Sequence, residues 1–130
     1  MPDTLRHLGG VPVLVCEPEG PVLRGEREAL DLIGEAFGVG AEWVAVPASR
    51  LGEDFFRLRT RVAGDVIQKF VNYRLGLAVL GDVTSHTNES PALRDFVYES
   101  NRGAQTWFLL DAESLADRLA RTTAADGSGD

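Results

Sequence analysis

Short apolar, β-branched runs separated by stretches of helical periodicity constrain this chain more than any other feature. The run Val11-Pro12-Val13-Leu14-Val15-Cys16 carries its proline near the start, where ladder bonds can be avoided, and reads as a buried strand. Trp43-Val44-Ala45-Val46 closed by Pro47, Leu77-Ala78-Val79-Leu80 followed by Gly81-Asp82, and residues 105–110 read the same way. After the turn Pro18-Glu19-Gly20, Val22-Leu23 are expected to return beside the first strand as a short antiparallel partner. Ala29, Leu30, Ile33, Ala36 and Phe37 recur at helical spacing from Glu26 onward and are stopped by Gly38 and Gly40. Ser90-Pro91 opens a helix with Leu93, Phe96 and Val97 on one face, ended by Asn101-Arg102-Gly103. Asp111 caps a last helix whose apolar positions are Leu115, Ala116 and Leu119. Crossovers through single helices make the joined strands parallel, whereas a link of a few residues makes the first two antiparallel. The expected fold is therefore α/β, a single mixed, mostly parallel sheet with helices packed on it in the order ββαβαβαβα. On such a sheet ligands or partners approach the carboxyl ends of the parallel strands, here Ser49 and Arg50, residues 82–86, and Asp111.

At 130 residues the chain has room for one core, expected over residues 10–121, with a flexible terminus over 1–9 and a disordered tail over 122–130. A net charge of −7 argues against nucleic acid and anionic membranes, because phosphate contacts need a basic face. One cysteine, Cys16, excludes an intramolecular disulfide and a four-cysteine metal site. The sequence has neither a basic stretch followed by an apolar run near its start nor eighteen consecutive apolar residues, so membrane spanning has no signal and the cytoplasm is the default.

Residues 50–74 carry a local charge of +3 from Arg50, Arg57, Arg59, Arg61, Lys69 and Arg74 against Glu53, Asp54 and Asp65, leaving −10 for the rest. Read as one long helix over about residues 53–74, this segment puts Arg57, Arg61, Gln68 and Asn72 on one side, able to hold an acidic partner or ligand or simply to face solvent. The same wheel places Phe55, Phe56, Leu58, Val62, Ala63, Val66, Ile67, Phe70, Val71 and Tyr73 on an apolar arc wider than one sheet contact needs. The excess is covered by the helix after Ser90, the better expectation, or by a second protein or second copy docking on Phe55 through Tyr73. Arg59 falls inside this arc and would need a carboxylate, Asp82 or Glu99, unless the helix begins only after Thr60, which leaves Phe55 and Phe56 as loop anchors and Arg59 near water. Gly64 in mid-helix hints at close approach of another backbone.

Catalytic signals are sparse. Asp82, Ser85 and His86 are adjacent in sequence but lack the serine elbow of a triad, and a loop histidine is normally solvated. His7 and His86 are the only histidines, so no metal is expected; no Walker loop or dinucleotide fingerprint occurs, so no cofactor is expected either. Cys16 in a buried strand behaves as a small hydrophobe.

Through Leu32-Ile33-Gly34-Glu35-Ala36, Val46-Pro47-Ala48-Ser49-Arg50-Leu51, residues 54–60, Ala63-Gly64, residues 68–74, Gly81-Asp82 and residues 96–103, the chain closely resembles the bacterial family called domain of unknown function 4180, over about residues 10–120. That resemblance carries no activity, but its motifs point to Phe55, Phe56, Arg59, Thr60, Gln68, Lys69, Asn72, Tyr73, Asp82, Asn101 and Arg102. The element order is also similar to the STAS fold of anti-sigma-factor antagonists, which implies a regulatory module that docks on a partner. The stretch corresponding to that family's phosphorylatable turn, Pro47-Ala48-Ser49-Arg50-Leu51-Gly52, lacks the aspartate and the spacing. The leading expectation is a non-catalytic, STAS-like interaction module using the Phe55–Tyr73 segment and the Asp82 loop. The alternative is a small-molecule site at the strand ends, open to catalysis. The candidate binding residues are Arg57, Arg59, Gln68, Asn72, Asp82, Asn101 and Arg102.

Overall fold

In a computed structural model, which describes residues 3–128, the chain forms one sheet in which five strands follow their sequence order. Strand β1 (Thr4–Leu8) is antiparallel to β2 (Val11–Val15), and β2, β3 (Trp43–Pro47), β4 (Gly76–Leu80) and β5 (Thr106–Leu109) are mutually parallel. The expected order holds with a different opening hairpin. The partner of β2 is the segment read as a flexible terminus, while Leu23 makes only a parallel bridge to Leu51. The hairpin turns through Gly9 and Gly10, both left-handed at φ 58° and 83°, as a two-residue turn of the primed kind requires.

Alternation along the strands divides the interior in two. Leu14, Val44, Val46, Leu77, Val79 and Phe108 face helices α1 (Glu26–Val39), α3 (Val62–Asn72) and α5 (Pro91–Arg102), which fill that side with Leu32, Ile33, Val66, Phe70 and Leu93. Right-handed crossovers between successive neighbours put all these helices on one face. Val13, Ala45, Ala78 and Trp107 point the other way, against Leu115 and Leu119 of helix α6 (Ala112–Ser128). Part of the tail expected over 122–130 is therefore helical, and its last two residues lie outside the described ones. Expected caps are in place: Ser90 Oγ accepts from Leu93 N at 3.1 Å, Asp111 Oδ1 from Ser114 N at 2.8 Å, and Gly40 ends α1 left-handed at φ 76°.

The long helix expected over 53–74 is broken. Helix α2 (Glu53–Phe56) is followed by a 3-10 turn, Leu58–Thr60, and α3 starts only after Arg61, a non-glycine residue held left-handed at φ 67°. Thr60 makes the break: its hydroxyl lies 2.7 Å from the Arg57 carbonyl and accepts from Val62 N at 3.3 Å, tying the end of one segment to the start of the next. Phe55, Phe56, Ala63, Val66 and Phe70 are all buried in the chain's own core, so the wide apolar arc does not exist as one surface. A Cβ on Gly64 would meet nothing within 4 Å, so this glycine marks no close backbone approach.

Candidate functional site

Two segments that leave the carboxyl ends of neighbouring parallel strands face each other. After β3 the chain passes through Gly52 into α2 and the 3-10 turn; after β4 it passes Gly81 and Asp82 into helix α4 (Thr84–Glu89) and the start of α5. Between them lies a cleft of about 680 Å³. One wall carries Glu53, Phe56, Arg57, Leu58 and Arg59; the other carries Ser85, His86, Glu89, Ser90 and Ala92. Its floor is a stacked pair: the Phe56 and His86 rings are 4.0 Å apart and nearly parallel, at 4°. Phe56 is buried, which fixes the imidazole, while His86 itself is half-buried.

The charges on the walls are open to solvent. Arg57 pairs with Glu53 four residues back at 3.5 Å with both side chains largely exposed, a contact worth a few tenths of a kcal/mol. Arg59 is exposed and makes no ion pair among the described residues; of its expected partners, Asp82 bonds to Thr84 and Glu99 to Arg102. The start of α3 after Thr60 thus leaves Arg59 near water, the second of the two readings above.

Asp82 does not line the cleft but builds its far wall. Its Oδ1 accepts from the Thr84 hydroxyl at 2.6 Å and the Thr84 amide at 2.9 Å, at the first residue of α4, and these two bonds hold its carboxyl below the usual aspartate range. Gln68 and Asn72 lie elsewhere, on the exposed side of α3, where Gln68 Nε2 donates to Asn72 Oδ1 at 2.9 Å. They share no face with Arg57.

The model of the family described as Domain of unknown function (DUF4180) matches residues 8–119. The chain belongs to that family. No curated protein and no solved structure matches it. Several of the motif residues that tie the chain to DUF4180 have structural duties. Phe55 is core, Lys69 reaches Glu26 at 3.5 Å, and Tyr73 meets Phe37 edge-on at 5.9 Å. Asn101, from the last turn of α5, takes both backbone groups of Phe108: its Nδ2 donates to the carbonyl at 3.2 Å and its Oδ1 accepts from the amide at 2.7 Å. Strand β5 is an outer strand, and the amide occupies the place of a further strand there. Arg102 next to it pairs with Glu99 at 3.5 Å and is exposed. Of the seven candidates, only Arg57 and Arg59 line the cleft; Asp82 supports it, and Gln68, Asn72, Asn101 and Arg102 are not part of it. His86, Glu89 and Phe56 join it instead.

The Asn101 clamp gives a direct expectation. Asn101→Ala leaves two edge groups of Phe108 without their partner and lowers stability by about 2 kcal/mol in chemical denaturation. Asn101→Asp does not restore it, because a carboxylate facing the Phe108 carbonyl has no proton to donate. Recovery of full stability by the aspartate would show that the amide donor is dispensable.

Buried Cys16 is pushed well above the ordinary thiol range, first by loss of hydration and then by nearby Asp3, so it is a packing residue and not a nucleophile. Among the described residues no His, Cys, Asp and Glu cluster has the makings of a metal site, and no helix is long and apolar enough to cross a membrane.

Proposed function

We propose that this domain binds a small molecule in the cleft between α2 with its 3-10 turn and α4 with the start of α5. The observation that carries the reading is the cleft's position and lining: it opens where two adjacent parallel strands end, and it brings Arg57, Arg59, Ser85 and His86 around a ring-stacked floor. The docking reading depended on an uninterrupted helix with surplus apolar surface. With Arg61 left-handed and Phe55, Phe56 and Phe70 buried internally, the docking reading loses that support, and the cleft supports a function better.

Thermal unfolding against a broad metabolite library tests this. Ligands that raise the melting temperature should lose their effect in Ser85→Trp, which fills the cleft from an exposed position of α4 and leaves the unliganded protein as stable as before. Silence across the library, or hits indifferent to Ser85→Trp, would refute it.

A further inference from the structure

Resting on the cleft reading, we infer that its ligand is a small organic anion: a carboxylate or phosphate ester on a flat ring, with the anionic group between Arg59 and the start of α5. Arg59 is a fork of donors without a carboxylate partner among the described residues. Arg57 beside it is held only by the exposed contact to Glu53 and is free to turn.

The opposite wall adds a donor. At the start of α5, Leu93 N goes to Ser90 Oγ and Arg94 N to the Ser90 carbonyl, while Pro91 has no N–H. Ala92, which lines the cleft, therefore carries a first-turn amide of this twelve-residue helix that has no partner among the described residues, at its positive end. Two arginines on one wall and a helix start on the other, lining one cleft, suit an oxyanion better than a neutral or cationic group. The stacked Phe56 and His86 rings at the floor suit a planar body.

Glu89 opposes an anion from the α4 wall, and Glu53 opposes it from the other wall once Arg57 turns away from it toward the ligand. Replacing Glu89 should therefore tighten binding, and by more than neutralising the exposed Glu42, which lies outside the cleft.

Titration of the labelled protein with benzoate, phenyl phosphate, inorganic phosphate and benzylamine, followed by amide chemical shifts, tests the inference. Benzoate and phenyl phosphate should saturate shifts at Arg59, His86 and Ala92, with inorganic phosphate weaker by about tenfold and benzylamine without effect. Whichever of the first two binds tighter distinguishes a carboxylate from a phosphate ester. Arg59→Ala should weaken both by about tenfold, and Glu89→Gln should strengthen both. Benzylamine saturating the same amides as well as benzoate overturns the anion while leaving the cleft reading intact. If the anions bind and their shifts map outside these walls, both fall. Binding unchanged by Arg59→Ala removes the assigned role of that residue and with it the inference.

Discussion

Replacing Arg50 with methionine will destabilise the fold by about 3 kcal/mol, among the largest losses expected from any single side chain here. Arg50 ends the 3-10 turn Ala48–Arg50 after β3 and is only 4% exposed. Its Nη1 reaches both Asp3 oxygens at 3.0 and 3.2 Å and the Glu17 carbonyl at 3.1 Å, while its Nε donates to the Pro21 carbonyl at 3.0 Å. One guanidinium thus joins the lead into β1, the 17–21 turn and the end of β3. Gly20 packs so closely on it that a Cβ there would come within 2.4 Å of the guanidinium carbon. Methionine keeps the length and the apolar stem but takes the donor from two carbonyls and the cation from a mostly buried carboxylate, which keeps the Glu17 amide at 2.9 Å. Lysine, a point charge without the planar fork, should recover less than half of the loss. Asp3→Asn measured alone and with Arg50→Met separates the pair itself: a coupling near zero, or a loss under about 1 kcal/mol for Arg50→Met, would show that these contacts carry no net stability.

This arginine also shows where sequence reasoning stops. In the sequence it stands as one charge of a basic stretch, a strand-end position and part of a family motif, but not as a buried anchor, because its partner stands in a segment whose pattern looks like a tail. In Thr4–Leu8 only Leu8 is buried, so β1 lacks the apolar alternation that exposed the other strands. The one local signal was Gly9-Gly10, a hairpin turn pair just before the first clear strand. By contrast β2 to β5, α1 and the starts of α5 and α6 were legible, since buried runs, capping side chains and glycine stops act over a few residues. The break at Thr60 and Arg61 was open to either reading because apolar residues on both sides serve the same core, which keeps a helical period running through a chain that is not helical. For the cleft, the arginines were legible as charges. His86 was not, since its place depends on a ring stack with Phe56 thirty residues earlier in the chain. Asn101 was legible as a motif residue, yet its duty on β5 depends on how α5 lies along the sheet edge.

Gly9→Ala will cost about 3 kcal/mol, and Gly10→Ala, one residue on, only about 1 kcal/mol. Both glycines are left-handed, so an L side chain at either meets the same backbone penalty. Their surroundings differ. A Cβ at Gly10 would meet nothing within 4 Å, whereas at Gly9 it would lie 2.4 Å from the Ala116 carbonyl and 2.6 Å from the Ala120 amide. Those atoms are helix backbone, which cannot rotate away as a side chain can, so α6 itself would have to lift from the β1–β2 turn. Lifting it loosens the seats of Leu115 and Leu119 against Val13, Ala45, Ala78 and Trp107. The difference between the two variants, read from their denaturation midpoints at equal slope, therefore measures how firmly the turn docks the last helix. Truncating Leu119 to alanine in the Gly9→Ala background should then cost less than it does in the parent, because the helix has already moved. Equal losses from Gly9→Ala and Gly10→Ala would mean that α6 yields at no cost and that the hairpin and the last helix are not coupled.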